Sequence, residues 1–407
     1  MRNIPLDLAK DRARCSGCGV CAVGCPVHAI TMQPDDTGCI YPVVDAAVCI
    51  GCEKCLRICD YKMPETGNPA KAAYAAAGKC EALVNASASG GMFASVAMSW
   101  IEAGGLVAGA VMDCGEQVQV YHLLSDQAQD VRRMQGSKYV QSDASRCYPA
   151  VLEALKAGRS VLFSGTPCQV AAIKRMSGNP ANLTTIDLIC HGVPPLQMLN
   201  DYLYLLGKRF HAKVTGFAFR DKAVGKSYSA RIDLRSKTHL RSIYLRSHDL
   251  SYYRYFLKST LCRENCYTCP YARPERISDL TIGDYWGVER RHAEDFAAGK
   301  MPRRKTWSCL MVNTEKGEQL LQIYGSQIER YPSEAAWIAE ENQQLQHPTR
   351  MPDNRRAVLE KYKAGGYAAV EADFIRASGG KLRYALRLLR QIYRNERAVK
   401  EKKGQQA

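Results

Sequence analysis

Two short cysteine runs constrain this chain more than anything else in its sequence. Residues 15–26 read "CSGCGVCAVGCP" and residues 49–60 read "CIGCEKCLRICD". Both have the spacing C-x2-C-x2-C-x3-C. Turns between the first three cysteines aim successive sulfurs inward, so three thiolates can wrap one face of an iron–sulfur cubane; the fourth cysteine points away and completes a neighbouring cluster. On that logic Cys15, Cys18, Cys21 and Cys59 hold one 4Fe–4S cluster, and Cys25, Cys49, Cys52 and Cys55 hold a second. Pro26 completes the first run, while Asp60 stands where the second would carry proline. Zinc is the competing metal, but zinc sites use pairs of ligands at separated points rather than four-cysteine runs. Cys39, in "TGCIYP", lies outside the pattern and reads as a packed thiol.

Cysteine usage also bears on compartment. The chain has 18 cysteines in 407 residues, a density that points either to secreted disulfides or to intracellular metal ligands. "MRNIPLDLAKDRARC" contains no apolar run of the kind that directs export, and no window of about 18 apolar residues predicts a membrane-spanning helix. A cytoplasmic chain with metal-bound thiols is the expectation. The formal charge of +16 raises the question of nucleic acid or an anionic surface. Each 4Fe–4S cluster with its four thiolates contributes about −2, so three clusters would bring the balance to about +10. Much of the remainder lies in "GGKLRYALRLLRQIYRNERAVKEKK", whose periodicity predicts a helix with leucines and aromatics on one face and arginines on the other. A solvated helix docked by its apolar side is the plain reading; an acidic partner or peripheral contact with an anionic membrane is the other. No nucleic-acid-binding module accompanies the charge, so nucleic acid is not expected as a partner.

Three regions follow one another along the chain. Residues 1–65 form the cysteine-rich domain, with the spacing of a bacterial two-cluster ferredoxin. "GNPAKAAYAAAGK" reads as a small-residue connector. From residue 80 to 340 helical and strand patterns alternate: a helix in "SGGMFASVAMSWIEAGG", a strand in "LVAGAVMD", a helix in "RCYPAVLEALKAGR", strands in "SVLFSG" and "LTTIDLIC", and helices in "QVAAIKRM" and "HGVPPLQMLNDYLYLLGKRF". This alternation predicts a mostly parallel sheet. Stretches between 213 and 290 ("VTGFAFRD", "SARIDLRS", "LTIGDYWGVE") are richer in strand, so the fold class is α/β with α+β additions. Residues 341–407 form a C-terminal segment ending in the basic amphipathic helix.

The larger region has cysteines of its own. Cys168 and Cys190 each follow a predicted strand, where open α/β sheets gather their ligands. Cys168 also opens a helix, whose free N–H groups favour an anion. "LCRENCYTCPYARPE" adds Cys262, Cys266 and Cys269. Each alone reads as a structural thiol; together they suggest a third cluster. The spacing of these last three is also that of the radical-SAM cluster motif, but it falls late in the chain and nothing around it suggests that barrel.

In order along the sequence come "SASGGMFAS", "QGSKYVQSD", "SGTPCQVAAIKRM", "DLICHGVPP", "FRDK", "CYTCPYA" and "DLTIGDYWGVE". With these motifs the chain resembles, over roughly residues 10–360, the coenzyme F420 hydrogenase/dehydrogenase beta-subunit family, in its bacterial branch with a fused two-cluster ferredoxin domain. The resemblance implies an FAD-binding domain with its own 4Fe–4S cluster, ligated by Cys168, Cys190, Cys266 and Cys269. Cys262 is left as a spare thiol. Ser89, Gly90 and Gly91 fall at a helix N-terminus, where exposed amides can cradle a pyrophosphate; a tight turn packing two elements is the alternative. Lys138 is a candidate phosphate or flavin-ring partner and Tyr139 a stacking surface, though both read equally as surface residues. Thr166 lies near the same strand end. Arg220 and Lys222 beside Asp221 suggest an ion-paired hairpin or an electropositive rim, and Asp284 and Trp286 follow a strand that could border the flavin. His191, next to Cys190, suits a hydrogen bond behind a ligand better than proton transfer.

A cluster passes one electron at a time, a hydride carries two, and a flavin converts between the modes. The expected protein is therefore an iron–sulfur flavoprotein oxidoreductase with three 4Fe–4S clusters and FAD. It would link a one-electron carrier or redox partner protein to a small hydride acceptor or donor, coenzyme F420 or another compound. No side-chain nucleophile or triad is required, and none is evident. The alternative is an electron-transfer subunit serving a separate catalytic partner.

Overall fold

The computed structural model describes residue 5 and residues 8–225 and 228–404. Its N-terminal domain is built on an antiparallel hairpin of β1 (Ile30–Pro34) and β2 (Ile40–Val44). A four-residue helix lies inside each cysteine run, Val20–Val23 and Lys54–Arg57. The two runs repeat one backbone path. The chain has positive φ just before and just after the second cysteine of each run, at Gly17 and Gly19 and again at Gly51 and Glu53. Such left-handed residues turn successive N–H groups toward one point, the geometry of an anion-binding nest. The small core of this domain includes Cys21, Cys25 and Cys55 beside Leu8, Ile30 and Val44, so the thiols are part of its packing.

The remaining strands are β3 (Ala72–Gly78), β4 (Leu106–Cys114), β5 (Val118–Ser125), β6 (Val161–Gly165), β7 (Leu183–Leu188), β8 (Lys213–Ala218), β9 (Ser229–Arg235), β10 (Leu240–Arg246), β11 (Leu280–Asp284), β12 (Ser308–Val312) and β13 (Ile328–Ser333). Eight of them form one sheet in the order β13-β3-β12-β11-β7-β6-β4-β5. Its centre, β4, β6, β7 and β11, pairs in parallel; its flanks are antiparallel. Every residue of β6 is buried, as expected for a strand covered on both faces. Leu162 packs with the helix Met92–Glu102 through Val96, Ala97 and Trp100. Its neighbour Phe163 faces the opposite layer, where Val151 and Leu155 of the helix Tyr148–Lys156 meet Val170 and Ile173 of the helix Pro167–Ser177.

The segment read as a connector is strand β3, so the large sheet begins at Ala72. Ala75, Ala76 and Ala77 are fully buried between β12 and β13. Small side chains here serve close approach rather than flexibility: a Cβ on Gly90 would lie 2.6 Å from the Ala76 carbonyl oxygen.

Strands β8, β9 and β10 form a separate antiparallel sheet. Its core joins Phe217, Phe219, Ile232 and Leu245 to Tyr202 of the helix Leu196–Phe210, to Tyr367 and Phe374 of the helix Arg355–Ala377, and to Tyr384 and Leu388 of the terminal helix Lys381–Gly404. The C-terminal segment thus completes this core. The terminal helix departs from the expected single apolar face: Tyr384, Leu388 and Ile392 are buried, whereas Leu382, Leu386, Leu389 and Tyr393 are exposed. Among the described residues no helix is long and apolar enough to cross a membrane.

Candidate redox site

The cysteines fall into three neighbourhoods. Burial, reinforced by the nearby Cys59, Cys15 and Cys168 thiols, pushes the Cys18 thiol up to about 12. Cys21 rises through burial and then through Cys18, Cys15 and Cys59. Burial likewise raises Cys55, whose thiol neighbours are Cys52 and Cys25; Cys49 packs against the same small core. Cys15, Cys18, Cys21 and Cys59 lie near one another, as do Cys25, Cys52 and Cys55, with Cys55 also near Cys21. Thiolates gathered this closely repel one another, and a cationic core would keep them ionised; the nests at Gly17–Gly19 and Gly51–Glu53 add backbone donors. Among the described residues no three Cys, His, Asp or Glu side chains close on a single ion; a polynuclear cluster, wider than one ion, does not ask them to. The donor set fits 4Fe–4S clusters.

A third neighbourhood forms at the carboxyl ends of the central strands. Thr166 caps the helix Pro167–Ser177 in a capping box with Gln169, which places Cys168 in the first turn; the Thr166 hydroxyl lies 3.2 Å from the Cys168 sulfur. Cys190 follows β7 and accepts from the Gly192 amide at 3.4 Å. Cys266 sits in the short turn of helix Glu264–Thr268, and Cys269 follows it. Burial, then Cys266, Cys168 and Cys269, raise the Cys190 thiol. Burial pushes Cys266 up to about 12 and Cys269 up to about 11, each with Cys168 among its neighbours. Cys262 is buried next to them, raised by burial and by Cys266, Cys190 and Cys39. Its sulfur would lie 2.8 Å from a Cβ on Gly192, whose φ of +112° also suits glycine.

The third neighbourhood abuts the first. Cys18, Cys59, Cys168 and Cys269 pack against one apolar layer with Val20, Tyr61, Tyr148 and Tyr271. Tyr61 donates to the Asn265 carbonyl at 2.8 Å. Tyr271 donates at 2.8 Å to Asp60, the residue in the place of the second proline, so that departure from the motif ties the two domains. Arg263 sits in the same seam with no exposed surface. It donates to Gln141 Oε1 at 2.9 Å, Ile40 O at 3.1 Å, Cys15 O at 3.2 Å and Asn265 Oδ1 at 3.2 Å. No carboxylate pairs with it among the described residues; the ionisable groups around it are Cys39, Tyr41, Cys15 and Cys266. Nothing in the local sequence marks Arg263, because its partners come from distant parts of the chain.

A cavity of about 360 Å³ opens beside this assembly, within the size range of small-molecule sites. Its lining includes Cys18, Cys168 and Cys190, the ends of β6, β7 and β11, and most of the residues expected at a flavin: Ser89, Gly91, Lys138, Tyr139 and Thr166. Gly90 lies behind the wall, its amide donating to Ser308 Oγ at 2.9 Å. Gly91 takes φ of +76° as the N-cap of the helix Met92–Glu102, so that helix's free first-turn amides stand at the cavity. Lys222 fastens the loop, donating to the carbonyls of Ser89 and Val84 at 2.6 and 2.7 Å.

Lys138 is engaged elsewhere. Its ammonium donates to the carbonyls of Arg133, Met134 and Gln135 at 3.1, 2.8 and 2.8 Å, closing the helix Ala128–Met134. Burial pushes it down to about 7, while those carbonyls favour its charged form. Tyr139 stacks on Phe256 with ring centres 4.4 Å apart. Arg220 pairs with Asp284 at 2.5 Å rather than with Asp221, which binds Arg231; it also lies over the Tyr228 ring, and Tyr228 stacks on Trp286 at the cavity edge. His191 bonds Ser259 Oγ at 2.9 Å through Nε2, and burial lowers its basicity. His122 is a lining residue without a motif: Nε2 is 3.0 Å from the Ser164 carbonyl, and burial pushes it down to about 4.

Residues 158–330 match the family model for the C terminus of the coenzyme F420 hydrogenase/dehydrogenase beta subunit. Residues 14–63 match that of a 4Fe–4S dicluster domain. The chain therefore carries the C-terminal domain of the coenzyme F420 hydrogenase/dehydrogenase beta subunit together with a 4Fe–4S dicluster domain. With these two domains it is an iron–sulfur electron-transfer protein of the oxidoreductase class and binds 4Fe–4S clusters. Among solved structures, a chain of the xenon-derivatised F420-reducing nickel–iron hydrogenase complex from Methanosarcina barkeri is similar at 15% identity and a TM-score of 0.45, over 74% of this chain and 95% of that one. A likeness that loose assigns no residue. No curated protein matches the chain.

Proposed function

We propose that this protein is an iron–sulfur flavoprotein oxidoreductase, passing electrons between an external one-electron carrier and a small substrate held beside FAD. The observation that carries the reading is the cavity itself, where cysteines of the third neighbourhood face the glycine loop at the carboxyl ends of β6, β7 and β11. FAD, when bound, supplies the conversion between single electrons and hydride. The first-turn amides after Gly91 would hold its pyrophosphate, with Ser89 and Thr166 beside them. Tyr139, backed by Phe256, would bear on the ring. The Trp286–Tyr228–Arg220–Asp284 wall would limit water at the mouth.

Three clusters held by the three thiol neighbourhoods would form a line from the surface to this cavity. Cys52 is exposed, which makes the Cys25/Cys49/Cys52/Cys55 group the natural point of exchange with a partner. The second reading, an electron-transfer subunit for a separate catalytic partner, draws on the same exposed edge and on a family defined by one subunit of larger enzymes. Coenzyme F420 is a candidate substrate because of the family's name.

Anaerobic purification with iron, acid-labile sulfide and released flavin measured together tests the proposal. About twelve irons and one FAD per chain are expected. About eight irons and no flavin after reconstitution would overturn it in favour of the second reading.

A further inference from the structure

The terminal helix Lys381–Gly404 divides into three stripes. Tyr384, Leu388, Gln391, Ile392 and Asn395 are buried against the core that contains β10, with Asn395 donating to the Tyr244 carbonyl at 2.8 Å. Leu382, Leu386, Leu389 and Tyr393, three or four residues apart and therefore in line on the helix, are 74%, 45%, 61% and 72% exposed. Arg383, Arg387, Arg390, Arg394 and Arg397 form the third stripe by the same spacing, and all are exposed. The docked stripe already satisfies what the fold requires of this helix, so the second apolar row is not explained by the protein's own core.

We propose that this outer face binds the surface of an anionic phospholipid membrane. An apolar row edged by guanidinium groups is the pattern of a helix lying in the plane of the interface: leucines reach the acyl boundary while arginines meet phosphate. The helix carries nine lysines and arginines against two glutamates, which makes a negatively charged counterpart the complement and opposes pairing of two such helices from two copies. A straight double stripe of this kind matches a flat surface better than a pocketed one. Membrane contact here does not depend on whether the cavity holds FAD.

The full-length, anaerobically purified protein should sediment with vesicles of phosphatidylcholine and phosphatidylglycerol but not with phosphatidylcholine alone, and added salt should release it. Leu386→Glu/Leu389→Glu, on exposed positions, should weaken partition about tenfold or more without altering the melting temperature; Arg390→Glu/Arg394→Glu should do the same. Absence of sedimentation with the anionic vesicles would overturn the proposal and leave the face to an acidic protein. Unchanged binding by both variants would overturn the assignment to this helix. A dimer seen by light scattering without lipid, and abolished by Leu386→Glu/Leu389→Glu, would show that a second copy covers the face instead.

Discussion

A guanidinium with no exposed surface and no carboxylate partner costs several kcal/mol unless another anion answers it. Cys39, Cys15 and Cys266 surround Arg263, and clusters held by Cys15 and Cys266 would bring net negative charge beside it. A positive charge there favours the reduced, more negative form of a cluster. Arg263→Met should therefore lower the midpoint potential of at least one cluster by on the order of tens of millivolts, read by EPR-monitored redox titration on protein whose iron content is unchanged. Iron retained with unmoved potentials would mean that Arg263 only fastens the domain seam. The cysteine assignment is tested separately: Cys266→Ser should remove about four irons per chain, while Cys262→Ser should remove none. Equal losses would place Cys262 among the ligands.

Two elements decide whether the cavity keeps its shape. The glycine loop lies so close to β3 and β12 that a Cβ on Gly90 would stand 2.6 Å from Ala76 O and 2.8 Å from Ser308 N. Gly90→Ala should cost about 1–3 kcal/mol by overpacking and lower flavin content, measured by melting and by released flavin on the same sample. The helix Ala128–Met134 ends on three carbonyls that Lys138 satisfies. Removing that donor leaves them unpaired, so Lys138→Met should destabilise the protein by about 1–3 kcal/mol and shift its thermal midpoint. A selective loss of flavin at unchanged stability would instead make Lys138 a cofactor contact.

At the scale of the whole molecule, the thiols of two domains share one packed layer across the seam, with Tyr61 and Tyr271 bonded over it. Iron removal by an anaerobic chelator should accordingly loosen more than the metal sites, because cluster binding and folding are linked. Hydrogen exchange should rise first through residues 14–63 and the turn around Cys266, while β6 and β7 stay protected. Uniform protection after iron loss would show that the protein scaffold is rigid without its clusters. Short-range signals were legible in the sequence: the dicluster domain in its two cysteine runs, the strand-end positions of Cys168 and Cys190, and the helix opening after Gly91 all depend on a few consecutive residues. Hydrophobic periodicity likewise exposed the parallel centre of the large sheet. What only the tertiary structure decided involves partners far apart in the chain. Alanines from Ala72 to Gly78 look like a linker until β12 and β13 bury them. Arg263 gains meaning only between residues 15, 40, 141 and 265. The terminal helix shows two apolar rows only once one of them is seen to be docked. Sequence spacing reports what neighbouring residues can do together; burial and charge compensation are set by the surroundings, and those exist only in the folded chain.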